Sequence, residues 1–415
     1  MRRFSATTTW FVYEGVASFF WTLSFTVAAV FFVLELGLNP LELVLVGTAM
    51  ELAVFVFEVP TGIVADTYGR KRSVVVGMTV IGASYLLVGI STAALGVLAA
   101  YAVWGLGWTF LSGAFDAWLA DEVGEERLGG VYHRGAQVER IASLAGIGVS
   151  VGLAQVDLRL PILVGGVGTL ALALLFLVAM PETGFRPQPR EGRTHFAAMA
   201  ATGREGVRVV RARPLLLAVL GISAFFGMWS ESFDRLWEAH FLQNVGLPGI
   251  GELEPVVWFG ILNAGSIVLA IALAAPLGKR LEGSGQATAA RALLSLDAFL
   301  LASALVFALA GSLWLAVGAY WATRVARNVA NPVFTTWLQR SVGETEARAT
   351  VLSITNQADA VGQWTGGPAL GVLGNAFGIR AALAAGAFCM APALWLYARA
   401  ARHEGRIEEV DPAVV

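Results

Sequence analysis

The sequence predicts an all-α integral membrane protein with twelve transmembrane helices in two six-helix halves. Of its 415 residues, 57% are hydrophobic and only 14% are charged, whereas about a quarter of the residues in a soluble protein carry charge. Mean hydropathy is +0.69. Apolar runs of about 20 residues, the length that crosses a bilayer, recur along the chain between glycine, proline or charged breaks. These observations indicate a polytopic membrane protein.

The apolar runs fall into two groups of six, separated by an arginine-rich polar stretch. The predicted spans are 8–34, 40–64, 73–92, 94–120, 133–155, 159–180, 214–242, 254–277, 290–310, 313–338, 348–374 and 379–400. We therefore divide the chain into an N-terminal bundle (1–183), a linker (184–213), a C-terminal bundle (214–402) and a tail (403–415). Part of the linker, 196–210, fits either a solvated tether or an amphipathic helix at the bilayer surface.

Loop charge predicts the orientation of the chain. The first residues, Met-Arg-Arg, lead into an apolar run without a small-residue cleavage site, which indicates a first span and not a signal peptide. The positive-inside rule places basic loops in the cytoplasm, so we expect both termini there and a multi-pass protein of the inner (cytoplasmic) cell membrane. The basic residues lie in every second loop, on the side predicted to be cytoplasmic. They are Arg70, Lys71, Arg72, Arg127, Arg134, Lys279, Arg280, Arg291, Arg340 and Arg348.

Composition argues against several classes of function. A net charge of −2 gives no support for a nucleic-acid partner, and the single cysteine, Cys389, excludes an internal disulfide or a cysteine-based metal cluster. A phosphate-binding Gly-x-x-x-x-Gly-Lys-Ser/Thr sequence is absent, which argues against direct use of ATP. We therefore expect that the protein is not an enzyme and uses no cofactor. We expect a proton gradient to be its energy source. The histidines do not have the sequence spacing of metal ligands. They are His133, His195, His240 and His403.

A polar motif joins predicted spans 2 and 3. Residues 62–72 read Gly-Ile-Val-Ala-Asp-Thr-Tyr-Gly-Arg-Lys-Arg between two apolar runs. Asp66 and Arg70 place opposite charges four residues apart at a membrane surface, and Gly62 and Gly69 permit close backbone approach. We interpret the motif as a conformational latch. Residues 275–280, between spans 8 and 9, keep the basic end of this motif without its aspartate, which suggests an internal repeat.

With its twelve spans, its basic linker and this Gly-x-x-x-Asp-x-x-Gly-Arg-Lys motif, the chain resembles the major facilitator superfamily over essentially its whole length. The resemblance implies two bundles around a central cavity, with helices 1, 4, 7 and 10 lining it and helices 3, 6, 9 and 12 facing lipid. It also implies that Asp66 approaches the start of helix 11 in the outward-facing state. Asp297 is the only ionisable residue well inside the presumed lipid-facing spans.

Further charged residues near the cytoplasmic ends of spans 4 and 5 are assigned to the same latch. Asp116 and Asp121 follow the apolar part of span 4, and Glu139 and Arg140 lie in span 5. An acidic end of span 4 is placed to pair with Arg70, which favours a gating role over contact with substrate.

Two charged stripes are candidates for substrate binding or proton coupling. They occupy one helical face each in spans 7 and 10, because their members recur at i, i+3, i+4 and i+7. Glu231 and Arg324 each lie about 11–12 residues from the external end, near the bilayer midplane at ~1.5 Å per residue. Either the stripes neutralise each other, or they bind substrate and couple protons. Their residues are Glu231, Asp234, Arg235 and Glu238 in span 7, and Arg324, Arg327, Asn328 and Asn331 in span 10.

Two further carboxylates are candidates for the proton site. Glu14 in span 1 is either a protonation site or cation ligand, or an interfacial carboxylate that water reaches. Asp359 in span 11 follows Gln357 and precedes Gln363, within a helix that glycines should pack closely.

Aromatic residues predict the class of cargo. Trp104, Trp229 and Trp321 lie in presumed cavity helices, and their rings favour amphipathic, partly apolar molecules. Span 4 lacks the arginine, and span 5 the proline, that mark drug–proton antiporters of the family. The leading hypothesis is a monomeric secondary transporter that exports amphipathic small molecules through the bilayer in exchange for protons. Proton-coupled uptake of a polar or zwitterionic metabolite is the alternative, and a non-transport sensor or scaffold is a third.

Overall fold

Twelve long helices form the fold in the computed structural model, which describes residues 4–186, 208, 210, 211, 213–249, 255–281, 285–342 and 348–410. All regular structure within these ranges is helical, which confirms the predicted all-α class. Most of the predicted linker and the last five residues of the tail lie outside the described ranges. The helices are α1 (Ala6–Leu34), α2 (Pro40–Tyr68), α3 (Arg70–Ile90), α4 (Ala94–Val123), α5 (Glu125–Ala154), α6 (Arg159–Ala179), α7 (Pro214–Val245), α8 (Val256–Leu281), α9 (Gln286–Leu309), α10 (Leu313–Val342), α11 (Arg348–Phe377) and α12, in two segments, Ile379–Cys389 and Ala391–Val410.

Nine of the described helices are long and apolar enough to cross a membrane. The other three, α5, α10 and α11, have 30 residues each, or ~45 Å at 1.5 Å per residue. Their length suits a span, but charged and amide side chains lower their hydropathy. Polar residues inside membrane helices are typical of functional surfaces.

The connection between α2 and α3 is shorter than the sequence predicts. Residues 62–68 continue α2, and α3 begins at Arg70, so Gly69 is the whole connection. Its φ of 116° lies where residues with a Cβ are strained, and it turns the chain within one residue. The polar residues of the motif therefore occupy the last turns of α2 and the first turn of α3, and not a loop.

The chain forms two compact units, Met1–Arg190 with Pro248–Ala264 and Glu191–Leu247 with Gly265–Val415. Within the first unit, glycines bring α3 close to α4 and α6. A Cβ added at Gly77 would lie 2.7 Å from the Gly107 carbonyl oxygen, and one at Gly166 would lie 2.9 Å from that of Gly82. Small residues at such crossings let helices in a membrane pack backbone to backbone.

Within the second unit, α7 and α11 meet in the same way. A Cβ added at Gly362 would lie 3.0 Å from the backbone nitrogen of Met228, and one at Gly227 would lie 3.1 Å from Oδ1 of Asp359. The close crossing places the Asp359 carboxylate directly against α7.

Candidate functional site

The first group of predicted site residues surrounds the junction of α2 and α3. Nε of Arg70, at the start of α3, lies 3.2 Å from Oδ2 of Asp121, near the end of α4. This ion pair joins two residues that the sequence assigned to one latch. The structure describes no ion pair for Asp66, which is half-buried, and a Cβ at Gly62 would meet no described atom within 4 Å. The roles of Asp66 and Gly62 therefore stay predictions.

A short segment after α6 completes this junction. The Glu182 carboxylate accepts a hydrogen bond from the backbone N–H of Lys71 at 2.8 Å, and Nζ of Lys71 donates to the carbonyl of Met180 at 2.8 Å. A carboxylate at the first turn of a helix satisfies an otherwise unpaired N–H and complements the helix dipole. Sequence reasoning missed Glu182, although the polar Pro-Glu-Thr-Gly directly after an apolar span was a visible signal.

The same segment is tied to α4. Glu122 accepts hydrogen bonds from the Thr183 hydroxyl at 2.7 Å and the Gly184 N–H at 2.6 Å, and also from the Thr183 N–H. The Trp118 indole donates to the Pro181 carbonyl at 2.8 Å. Side-chain contacts thus join the start of α3, the end of α4 and the segment after α6 within the first unit.

We expect Gly69→Ala to destabilise the protein by roughly 1–3 kcal/mol, the cost of a residue held in a disfavoured backbone conformation. The added Cβ would also lie 3.2 Å from both carboxylate oxygens of Glu182. Thermal unfolding of the detergent-purified protein measures the effect. Gly62→Ala is the matched control, because Gly62 lies inside α2 with open space around it. Equal melting temperatures for the two variants would contradict this account of the junction.

A second group of site residues lies where α1, α4 and α5 meet. Glu14 lies in a π-helical turn of α1, Tyr13–Ala17, and such turns are frequent at functional sites. Its carboxylate is within electrostatic range of Glu139 on α5 and Asp116 on α4, and the Tyr132 hydroxyl donates to Asp116 at 3.1 Å. Arg140, next to Glu139, is exposed. The structure thus gathers Glu14 with two residues that the sequence assigned to the latch.

Aromatic rings extend from this carboxylate group along α1 and α4. Tyr13 contacts Phe115 with ring centroids 4.3 Å apart, and Trp21 lies 5.7 Å from Trp108. Trp104 stacks on Trp108 at 5.7 Å with an interplanar angle of 9°. Trp104 is buried and lies about one turn of α4 from Trp108.

The stripes of α7 and α10 are joined through one carboxylate. Nη1 of Arg327 donates to Oδ2 and Oδ1 of Asp234 at 2.7 and 2.8 Å, and Nη1 of Arg324 lies 3.7 Å from Oδ1. The Arg327 guanidinium also lies over the rings of Phe226, at 5.4 Å, and Trp229, at 5.6 Å. Asp234 thus contacts two cations within the second unit, and one of them, Arg327, also packs against two aromatic rings.

The remaining stripe residues have different surroundings. Glu231 is buried and accepts a hydrogen bond from Nε of Arg235 at 3.2 Å, one turn along the same helix. Glu238 is also buried, and its Oε2 has no hydrogen-bond partner among the described residues. Asn328 is exposed on α10. Trp321 packs against α8, where a Cβ at Gly265 would lie 2.6 Å from its ring.

Asp359 lies on α11 beside this group. Its Oδ2 accepts a hydrogen bond from Nε2 of Gln363 at 2.7 Å, and its carboxylate is within electrostatic range of Arg327. Across the described ranges, no cluster of three or more His, Cys, Asp or Glu side chains has the arrangement of a metal site.

The chain matches a known family and several solved structures. The model of the Major Facilitator Superfamily matches residues 10–303. An uncharacterized MFS-type transporter, YxaM, of Bacillus subtilis (strain 168) is 22% identical over 349 residues, which cover 82% of each chain. The crystal structure of a peptide transporter, POT, superimposes with a TM-score of 0.75 at 17% identity, over 97% of each chain.

Two other solved structures have the same fold. A nucleoside transporter, NupG, gives a TM-score of 0.73 at 13% identity, over 95% of this chain and 100% of its own. A bacterial homolog of the human lysosomal transporter Spinster, in an inward-facing and unoccupied conformation, gives 0.73 at 14% identity, over 97% of each chain. At these identities the likeness shows the fold and not the cargo.

The described ranges contain twelve helices of membrane-spanning length, and with the family match they define the class of the protein as a multi-pass membrane transporter. The chain belongs to the Major Facilitator Superfamily, whose model matches more than two thirds of it.

Proposed function

We propose that this protein is a secondary active transporter that works by alternating access and exports amphipathic cations in exchange for protons. The observation that supports it best is the Glu14 site, where a carboxylate lies in a π-turn among other carboxylates and aromatic rings. Aromatic faces and a carboxylate together recognise an organic cation. Repulsion among three carboxylates is relieved by either a proton or a cation. The two ligands would therefore compete, which is the basis of antiport.

The Asp234 group has a second role in this proposal. Its ion pairs connect α7 and α10, the two helices of the second unit that the family places at the cavity. Substrate or a proton that withdraws Asp234 from one arginine would change the contact between these helices. The Arg70–Asp121 pair serves as the latch of the first unit. Asp66 approaches the start of helix 11 when the protein faces outward.

The proposal also covers the setting of the protein. It is a monomer in the inner membrane with cytoplasmic termini, with bundles at 1–183 and 214–402 joined by the linker 184–213 and followed by the tail 403–415. Opposite charges within one site also suit a zwitterionic solute, because Asp234 and Arg324 present both signs on adjacent helices. Proton-coupled uptake of such a solute is therefore the second candidate function.

Cargo-triggered proton movement in sealed proteoliposomes tests the proposal. A pH-sensitive dye is trapped inside, and quaternary ammonium dyes are compared with dipeptides and nucleosides. We expect proton movement on addition of the cations, at a rate at least tenfold above that of protein-free vesicles. Movement with polar solutes only would replace efflux by uptake, and movement with neither class would contradict proton coupling.

A further inference from the structure

A cavity of about 240 Å³ lies inside the second unit, lined by residues of α7, α9, α10, α11 and α12. Its charged lining consists of two carboxylates, Asp297 and Asp359, and neither stripe contributes an arginine to it. The apolar wall includes Phe226 and Phe334. The proposed function leaves Asp297 and this cavity without a role.

Asp297 is an unusual residue for its helix. The family places α9 against lipid, yet the Asp297 side chain is turned inward and is only 3% exposed. Its carboxylate lies against the hydroxyl of Tyr397 on α12, which is placed to donate to it. Carboxylates inside membrane helices are costly, and they mark substrate pathways, ion pathways or proton relays.

Arg327, a cation beside the cavity wall, is already paired. Arg327 packs over Phe226 of the cavity wall, but its Nη1 makes two short contacts with Asp234, at 2.7 and 2.8 Å. Asp359 receives a neutral donor, the Gln363 amide, at 2.7 Å. Asp359 is within electrostatic range of Arg327, but neither carboxylate of the cavity forms an ion pair in the described part of the structure.

Polar groups of the lining also have unused hydrogen-bonding capacity. The Ser223 side chain on α7 is 5% exposed, and the described part of the structure gives its hydroxyl no hydrogen-bond partner. Asn331 on α10 lines the same cavity and is exposed. Buried polar groups are normally paired, so the buried Ser223 hydroxyl indicates a polar ligand in the cavity.

We propose that this cavity binds the ammonium group of a small organic amine, with Asp297 and Asp359 as its counter-ions. Ser223 and Asn331 accept further hydrogen bonds from the ammonium group, and Phe226 and Phe334 contact its apolar body. The volume is below the roughly 300–1,000 Å³ of pockets for drug-sized ligands, and it exceeds the space of a bare metal ion. The inference rests on the proposed function and deepens it, because it names a class of cargo for this cavity.

Equilibrium binding to the purified full chain in detergent tests the inference without any gradient. Isothermal titration calorimetry compares 2-phenylethylammonium with its neutral counterpart 2-phenylethanol. The titration uses a Glu14→Gln background, so that the carboxylate proposed for the first unit does not contribute. We expect at least tenfold tighter binding of the ammonium compound, and at least a tenfold loss of that binding in Asp359→Asn and in Asp297→Asn.

Two further variants keep the test decisive if Asp297→Asn fails to fold. Ser223→Leu retains both carboxylates and fills the cavity, so it should abolish binding of both compounds. Asp157→Asn removes a carboxylate between α5 and α6 and should leave binding unchanged. Equal affinity for ammonium and alcohol, unchanged binding in Asp359→Asn, or saturable sodium binding without amine binding would overturn the inference. A transporter that moves cargo but fails this titration would retain the proposed function and lose the amine cavity.

Discussion

Asp234→Asn is expected to abolish gradient-driven transport, because the substitution releases two arginines from one carboxylate. Arg327 loses charged contacts of 2.7 and 2.8 Å, and Arg324 loses one of 3.7 Å. A hydrogen bond to a charged group contributes about 1.5–3 kcal/mol, so we also expect a lower melting temperature. Transport in proteoliposomes and thermal unfolding in detergent measure the two effects on the same preparation.

A double variant separates neutralisation from function. Asp234→Asn with Arg327→Gln removes one charge of each sign, and it should recover much of the stability without recovering transport. Full recovery of transport would mean that the stripes only neutralise each other, which would contradict their role in binding or coupling. Glu35→Gln is the matched control. Oε2 of Glu35 lies 3.0 Å from Nε of Arg159, and its side chain is 32% exposed against 33% for Asp234, yet the pair has no proposed role.

Glu14→Gln is expected to impair both proton coupling and cargo binding. The amide keeps the size of the side chain but neither binds a proton nor provides a negative charge. Uphill transport should fall at least tenfold, and exchange of labelled for unlabelled cargo at equal pH should also fall, because proton and cargo compete for the same carboxylate. Both rates are measured with radiolabelled cargo in the same vesicles.

The control for this prediction is Glu42→Gln. Glu42 belongs to a capping box with Asn39 at the start of α2, and glutamine serves at that position as well. Normal uphill transport by Glu14→Gln would assign proton coupling to another group, with Asp359 and Glu231 as the remaining candidates.

The fold was largely predictable from the sequence, because apolar length and loop charge determine where a chain crosses a bilayer. All twelve predicted spans correspond to helices. The helix ends were harder to predict. Hydropathy ends α2 at about 64, but the helix continues to Tyr68, because water and polar partners allow a helix to extend past the apolar layer. The φ of Gly69 then determines where α3 begins.

The candidate site was predictable in composition but not in pairing. The spacing of Glu231 and Arg235 predicts their contact within one helix. The contact of Asp234 with both Arg324 and Arg327 depends on how α7 and α10 cross, which periodicity leaves open. Asp297 shows the same limit, since only its packing against α12 shows that it faces a cavity and not lipid.

Uphill accumulation in proteoliposomes tests the central claim, gradient-driven antiport, most directly. A radiolabelled quaternary ammonium cation is used, because it does not cross the bilayer as a neutral base, and potassium with valinomycin clamps the membrane potential at zero. With an acidic lumen, we predict accumulation at least tenfold above the external concentration and its collapse on addition of nigericin. An internal concentration that never exceeds the external one, as in protein-free vesicles, would contradict the account.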